Sequence, residues 1–161
     1  MKKDKHILGL MVENQPGVLS RITGLFSGRG FNIESLSVAE TTDPLISRIT
    51  LVTSGNMRII EQIKKHLNRL INVIKVCDYT DVPCVEREML LVKVRPGSER
   101  QEELLRVVDI FKCHIVDVGA GFYTIEVTGD NEKIMAFLNL IKPIGIKEIV
   151  RTGTIALARE S

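Results

Sequence analysis

The chain has 161 residues, 44% hydrophobic and 26% charged, which excludes a disordered or fibrous protein and allows either one ordinary globular domain or two small ones. Its 22 basic and 20 acidic residues are interspersed and leave a net charge of +2, so no broad field points to nucleic acid or a membrane surface. The apolar run Ile7 to Val12 is too short for the core of a signal peptide and no run reaches membrane-spanning length, so the expectation is a cytosolic protein. Cys77, Cys84 and Cys113 form no C-x-x-C pair, and their odd count argues for reduced, partly buried thiols over a disulfide framework.

In chain order, Ile7 to Val12 reads as a strand that is apolar on both faces. Val18, Leu19, Ile22, Leu25 and Phe26 mark one face of a helix, which Gly28 and Gly30 end. Phe31 to Glu40 is a second strand, and Thr41-Thr42-Asp43-Pro44 turns it into a third, Leu45 to Thr53. Ile60, Ile63, Leu67 and Leu70 recur at helical spacing, and Asn72 to Tyr79 closes the unit with a β-branched strand. The order is βαββαβ.

The same order then repeats. Glu88 to Arg95 reads as a strand, and a helix follows Gly97-Ser98 with Leu104, Val107, Val108 and Phe111 on one face. His114 to Val118 and Phe122 to Thr128 form a hairpin across Gly119-Ala120-Gly121. Ile134, Phe137, Leu138 and Ile141 lie on a further helix, and Ile146 to Ala158 supplies a last strand. The fold class is therefore α+β, with two ferredoxin-like βαββαβ domains whose antiparallel sheets carry their helices on one face. We place the domains at residues 1–80 and 81–161, either side of the polar link Thr80 to Cys84. Domains of this size have marginal cores, and the two-sided apolar first strand requires cover that a partner subunit would supply.

Candidate site residues gather around the first helix. Pro16 suits a first helical turn, and Gly17 lets a ligand approach the backbone without a Cβ in the way. The N–H groups of Gly17, Val18 and Leu19 would point from the helix N-terminus toward a carboxylate or phosphate. Asn14 and Asn32 bracket the helix, and an amide of this kind holds an ammonium through its oxygen and a carboxylate through its nitrogen. A zwitterionic amino acid fits that set. The same residues also make an ordinary strand-to-helix turn in which both Asn side chains satisfy their own loops, and residue types alone do not choose between the readings.

The segments Glu13-Asn14-Gln15-Pro16-Gly17-Val18-Leu19-Ser20-Arg21 and Gly24 to Leu36 resemble the opening of an ACT domain, the small amino-acid-sensing module. Together with Asp43 to Thr50 and Val85 to Val94 they resemble, more narrowly, the small regulatory subunit family of acetolactate synthase (acetohydroxyacid synthase), over essentially the whole chain. The resemblance implies a non-catalytic chain that binds a catalytic subunit, raises its activity and conveys feedback inhibition by a branched-chain amino acid such as valine. It implies a homodimer, with residues 1–80 as the effector-binding and dimerising ACT domain. Ile33 and Val38 would receive the aliphatic side chain in that arrangement. The thiamine diphosphate, magnesium and FAD of such an enzyme would belong to the catalytic chain, with no cofactor here. Asn14 departs from the Asp found at this place in many ACT domains. Residues 81–161 lack a matching turn, since Arg95-Pro96-Gly97-Ser98 has neither flanking Asn, and are expected to serve partner binding or assembly.

Other chemistry finds little support. No P-loop, nucleophile elbow, zincin helix or dinucleotide fingerprint occurs, and His6, His66 and His114 are scattered. Cys113 and His114 adjoin, but neighbours on a strand point to opposite faces, so we expect no metal site. RNA binding would require stacking aromatics on the central strands, and aromatic residues make up 4% of the chain. The runner-up function is a stand-alone ACT-type sensor that regulates transcription or another enzyme.

Overall fold

The computed structural model describes residues 4–160. Two compact units emerge, one made of residues 1–85 together with 154–161, the other of residues 86–153. The C-terminal residues thus group with the first unit and not with the half of the chain that precedes them.

In the first unit the elements are β1 (Lys5–Glu13), α1 (Val18–Gly28), β2 (Ile33–Glu40), β3 (Ile46–Ser54), α2 (Met57–Asn68) and β4 (Val73–Asp78). The sheet order is β2-β3-β1-β4, antiparallel throughout, as a ferredoxin-like βαββαβ unit requires. Alternation along β1 sends Leu8, Leu10 and Val12 under the helices, where they meet Ile22 and Phe26 of α1 and Ile60, Ile63 and Leu67 of α2 in one buried core. Asn56 starts α2 by accepting a hydrogen bond from the Ile59 N–H at 3.0 Å. The helices therefore lie where the periodicity of the sequence predicts them.

The other face of this sheet, for which the sequence reading expects a partner subunit, is partly covered by the chain itself. Thr50 and Val52, which point away from the helices, are 3% and 6% exposed. Tyr79 lies across Gly9 on that face, close enough that a Cβ at Gly9 would fall 2.8 Å from Tyr79 Cε2. Arg48 donates to the Tyr79 hydroxyl and, at 3.0 Å, to the Ala156 carbonyl. Ala156 belongs to β9 (Ile155–Ala158), which is separate from β8 (Ile146–Arg151): the single last strand expected from Ile146 to Ala158 is broken at residues 152–154, where Gly153 adopts φ +84°. The Thr154 N–H donates to Ser35 Oγ at 3.0 Å, and the Arg159 N–H to the Pro83 carbonyl at 2.9 Å. The chain's own C-terminal segment supplies part of the cover, while Ile7 and Met11 on the same face stay only half-buried.

The outer face of α2 carries the basic residues Arg58, Lys64, Lys65 and Arg69, of which Lys64 is engaged in ion pairs. Lys64 pairs with Glu61 at 2.7 Å and with Asp78 at 3.3 Å. Partial burial of Asp78 acts to raise its pKa, but the hydrogen bonds from Thr80 and Lys64 and the Lys64 charge outweigh it and hold the carboxyl below the usual aspartate value.

The second unit repeats the topology with β5 (Cys84–Val94), whose first two residues belong to the first unit, then α3 (Gln101–Ile110), β6 (His114–Val118), β7 (Tyr123–Gly129), α4 (Asn131–Gly145) and β8, in the order β6-β7-β5-β8. Leu90, Val92 and Val94 pack against Leu104 and Val108 of α3 and Phe137 and Ile141 of α4. Asp130 caps α4 through the Lys133 N–H at 2.9 Å. Glu88, 5% exposed, accepts a fork from Arg151 at 2.5 and 3.1 Å, which compensates its burial. Cys113 is half-buried against the core, and burial pushes its thiol pKa up despite the opposing charge of Lys133. No helix among the described residues is long and apolar enough to cross a membrane.

Two outcomes are expected. Replacing Gly9 by Ala forces Tyr79 off the sheet and costs roughly 1–3 kcal/mol, read as a lower urea midpoint by circular dichroism. A depressed folded-state pKa at Asp78 stabilises the first unit above the unfolded value and is lost as pH falls below about 4, so the wild-type midpoint should drop over that range while that of Asp78→Asn falls less steeply.

Candidate functional site

Register decides which candidate residues can act together. In the first sheet Glu13 lies opposite Ile46 and Lys5 opposite Ser54, so the loop after β1 stands at the beginning of β3. On the other side of β3, Ile33 lies opposite Thr53 and Glu40 opposite Ser47. Asn14 and the end of β2 are therefore at one end of the sheet, and Asn32 with Ile33 at the other. At about 3.3 Å per residue the two ends are roughly 20 Å apart, several times the span of an amino acid. Asn14 and Asn32 of one copy do not converge.

The loop itself is built as follows. The Asn14 N–H donates to the Leu45 carbonyl at 2.8 Å and the Gln15 N–H to the Glu13 carbonyl at 3.0 Å. Pro16 precedes the helix instead of occupying its first turn. Gly17 is the residue that turns the chain, with φ +85° at the N-cap, a left-handed conformation that a side chain disfavours. Nothing lies within 4 Å of the position a Cβ would take there, so the approach to the backbone is open. Val18, 4% exposed, places its side chain in the core, and its N–H reaches the Gln15 carbonyl at 3.4 Å. Leu19 is 41% exposed, with no capping side chain ahead of it. Its N–H and that of Ser20, in the first turn, have no intrahelical acceptor, the usual condition at a helix start.

Asn14 is exposed and donates through Nδ2 to the Pro44 carbonyl at 2.9 Å and to Glu40 Oε2 at 3.4 Å. Its Oδ1 remains an acceptor, with a carboxylate beside it. Glu40 is a residue the sequence reading passes over. It sits just before the turn Thr41 to Pro44, and only the folding back of β3 brings it to Asn14 across 26 positions of sequence. A formal negative charge is thus present at this loop although Asn stands in place of Asp.

A second network fixes the base of the loop. Arg21 of α1 donates to Asn72 Oδ1, Asn72 Nδ2 donates to Glu13 Oε2 at 3.1 Å, and the Glu13 N–H to the Asn72 carbonyl at 2.9 Å. Asn72 is 9% exposed, so these bonds tie helix, strand and the α2–β4 turn together in a partly desolvated place.

Val38 is 41% exposed on the helix side of β2, opposite Ile49 and near the Asn14 end. At the far end Asn32 is exposed, its carbonyl accepting from Thr53 Oγ1 at 2.7 Å, and its carboxamide makes no hydrogen bond among the described residues. Ile33 is half-buried against the core. The seven candidates thus divide into Asn14, Gly17, Val18, Leu19 and Val38 at one end and Asn32 with Ile33 at the other. In the sheet order β2 is an edge strand, and its outer edge joins the two groups.

Comparison with known proteins gives a consistent result. Residues 8–75 match the family described as the AHAS small subunit-like ACT domain, and residues 87–160 the family described as the small subunit of acetolactate synthase. The chain is 52% identical to the acetolactate synthase small subunit of Aquifex aeolicus, over 97% of this chain and 82% of that one. It is 48% identical to the probable acetolactate synthase small subunit of Methanothermobacter thermautotrophicus, over 100% of this chain and 96% of the relative. The crystal structure of the acetolactate synthase small subunit from Thermotoga maritima is similar with a TM-score of 0.88 and 39% identity, covering 98% of this chain and 99% of that one.

Proposed function

Because this chain belongs to the acetolactate synthase small-subunit family, we propose that it is the regulatory chain of that enzyme, which binds and activates a separate catalytic subunit and conveys feedback inhibition by valine. Thiamine diphosphate, magnesium and FAD belong to the catalytic chain in this reading. The single observation that carries the effector site is the division of its residues between the two ends of the free edge strand β2. Two copies paired antiparallel along that edge bring the Asn32 end of one β2 beside the Asn14 end of the other, and so complete two identical sites that a single copy leaves open.

In such a site the exposed N–H groups at Gly17 and Leu19 and the Asn32 carboxamide of the second copy receive the carboxylate. Asn14 Oδ1 and Glu40 hold the ammonium. Val38 and Ile33 form the apolar wall, while Val18 serves mainly as the core anchor of the loop. Valine and isoleucine differ by one methylene, worth about 1–3 kcal/mol in an apolar pocket, so the walls alone set only a modest preference. Inhibition follows if valine binds one arrangement of the dimer more tightly than another and the catalytic partner responds to that arrangement.

Calorimetric titration with valine should give saturable binding to the wild-type chain, and at least tenfold weaker binding to Asn14→Ala and to Asn32→Ala alike. Mixing the two variants should restore one intact site per mixed dimer. Wild-type affinity in both variants, or no recovery on mixing, would count against a shared site, and failure to copurify with a thiamine-dependent chain would count against the regulatory role.

A further inference from the structure

The second unit holds a cavity of about 490 Å³ between the β5–α3 loop and the β6–β7 hairpin. Its place in the second βαββαβ unit is that of the Asn14 to Gly17 loop in the first: the connection from first strand to first helix. The volume lies within the range of small-molecule sites. The residues are different, and so is the chemistry.

Among the described residues, Arg95 is the only charged one in the wall. Its guanidinium lies 4.4 Å from the Phe122 ring centroid and makes no ion pair among the described residues. The ring holds the cation by an electrostatic attraction without neutralising it. The Arg95 N–H donates to the Gly145 carbonyl at 3.0 Å, which pins the backbone from which the side chain projects. Gln101 Nε2 donates to the Tyr123 hydroxyl, so the hydroxyl proton remains available to a second acceptor. Ser98 adds a hydroxyl donor. Gly97 and Gly121 adopt φ +66° and +80°, and nothing stands within 4 Å of a Cβ position at Gly97, so a ligand can reach the backbone there.

A wall with a permanent cation, several neutral donors and no carboxylate favours oxyanions and rejects ammonium groups. We propose that this cavity is a second small-molecule site that binds a compact oxyanion, a carboxylate or a phosphate, through Arg95, Ser98 and Tyr123. It is independent of the valine site, whose polar groups suit a zwitterion, and it gives residues 86–153 a ligand-binding role of their own.

The test uses the full chain, with amide chemical shifts followed by NMR during titration with sodium phosphate and, separately, sodium acetate, each against sodium chloride at matched ionic strength. Saturable shifts at Gly97, Ser98, Gln101 and Gly121 with either probe, weakened at least tenfold in Arg95→Ala and partly retained in Arg95→Lys, would support the site. The tighter probe identifies the ligand as a phosphate or a carboxylate. Shifts that chloride reproduces, shifts confined to residues 14–20, or equal binding by Arg95→Ala would overturn it. Because Arg95 packs on Phe122, Ser98→Ala serves as a second variant, and an unchanged affinity in both would likewise overturn it.

Discussion

The register of β3 is the constraint on which the first unit depends. This strand pairs with β1 on one side and β2 on the other, and so assigns every loop to one end of the sheet. It brings Glu40 to Asn14, although they are far apart in sequence, and it sends Asn32 to the opposite end. A strand slip of one residue would turn Ile49 and Leu51 out of the core, which is why this register is strongly specified. Strand pairing alone thus keeps Asn14 and Asn32 of one copy apart, before any ligand is considered.

A second organising feature is the layer on the open face of that sheet. β1 is apolar on both faces, and apolar surface of that kind must be covered by something. Gly9 removes a Cβ where Tyr79 crosses, Arg48 reaches over the strand, and Ala156 brings the C-terminal segment down onto the same face. Local and distant parts of the chain meet there. The polypeptide leaves the first unit, completes the second, and returns, so the two units are joined by more than one segment of chain.

The two units show how one topology carries different chemistry. Both have the strand order of a ferredoxin-like repeat, with helices on one face. In the first, the strand-to-helix loop is surrounded by carboxamide, carboxylate and main-chain groups. In the second, the equivalent loop is lined by Arg95 and hydroxyls. Fold sets the location of such a loop, and its side chains set what it can recognise.

Apolar periodicity in the sequence was sufficient for both βαββαβ units, because helix and strand faces repeat every few residues and the core reads them directly, as Leu8, Leu10 and Val12 or Ile60, Ile63 and Leu67 illustrate. The Asn-Gln-Pro-Gly turn and its open glycine were legible too, since a left-handed backbone leaves a local mark. Only the tertiary structure decided that Pro16 stands outside the helix, that Asn14 and Asn32 lie at opposite ends of the sheet, that Glu40 joins Asn14, and that residues 154–158 come back onto part of the second face of the first sheet. Those facts depend on pairing between residues distant in sequence. A local pattern says which face a side chain takes, but not which distant segment will meet it.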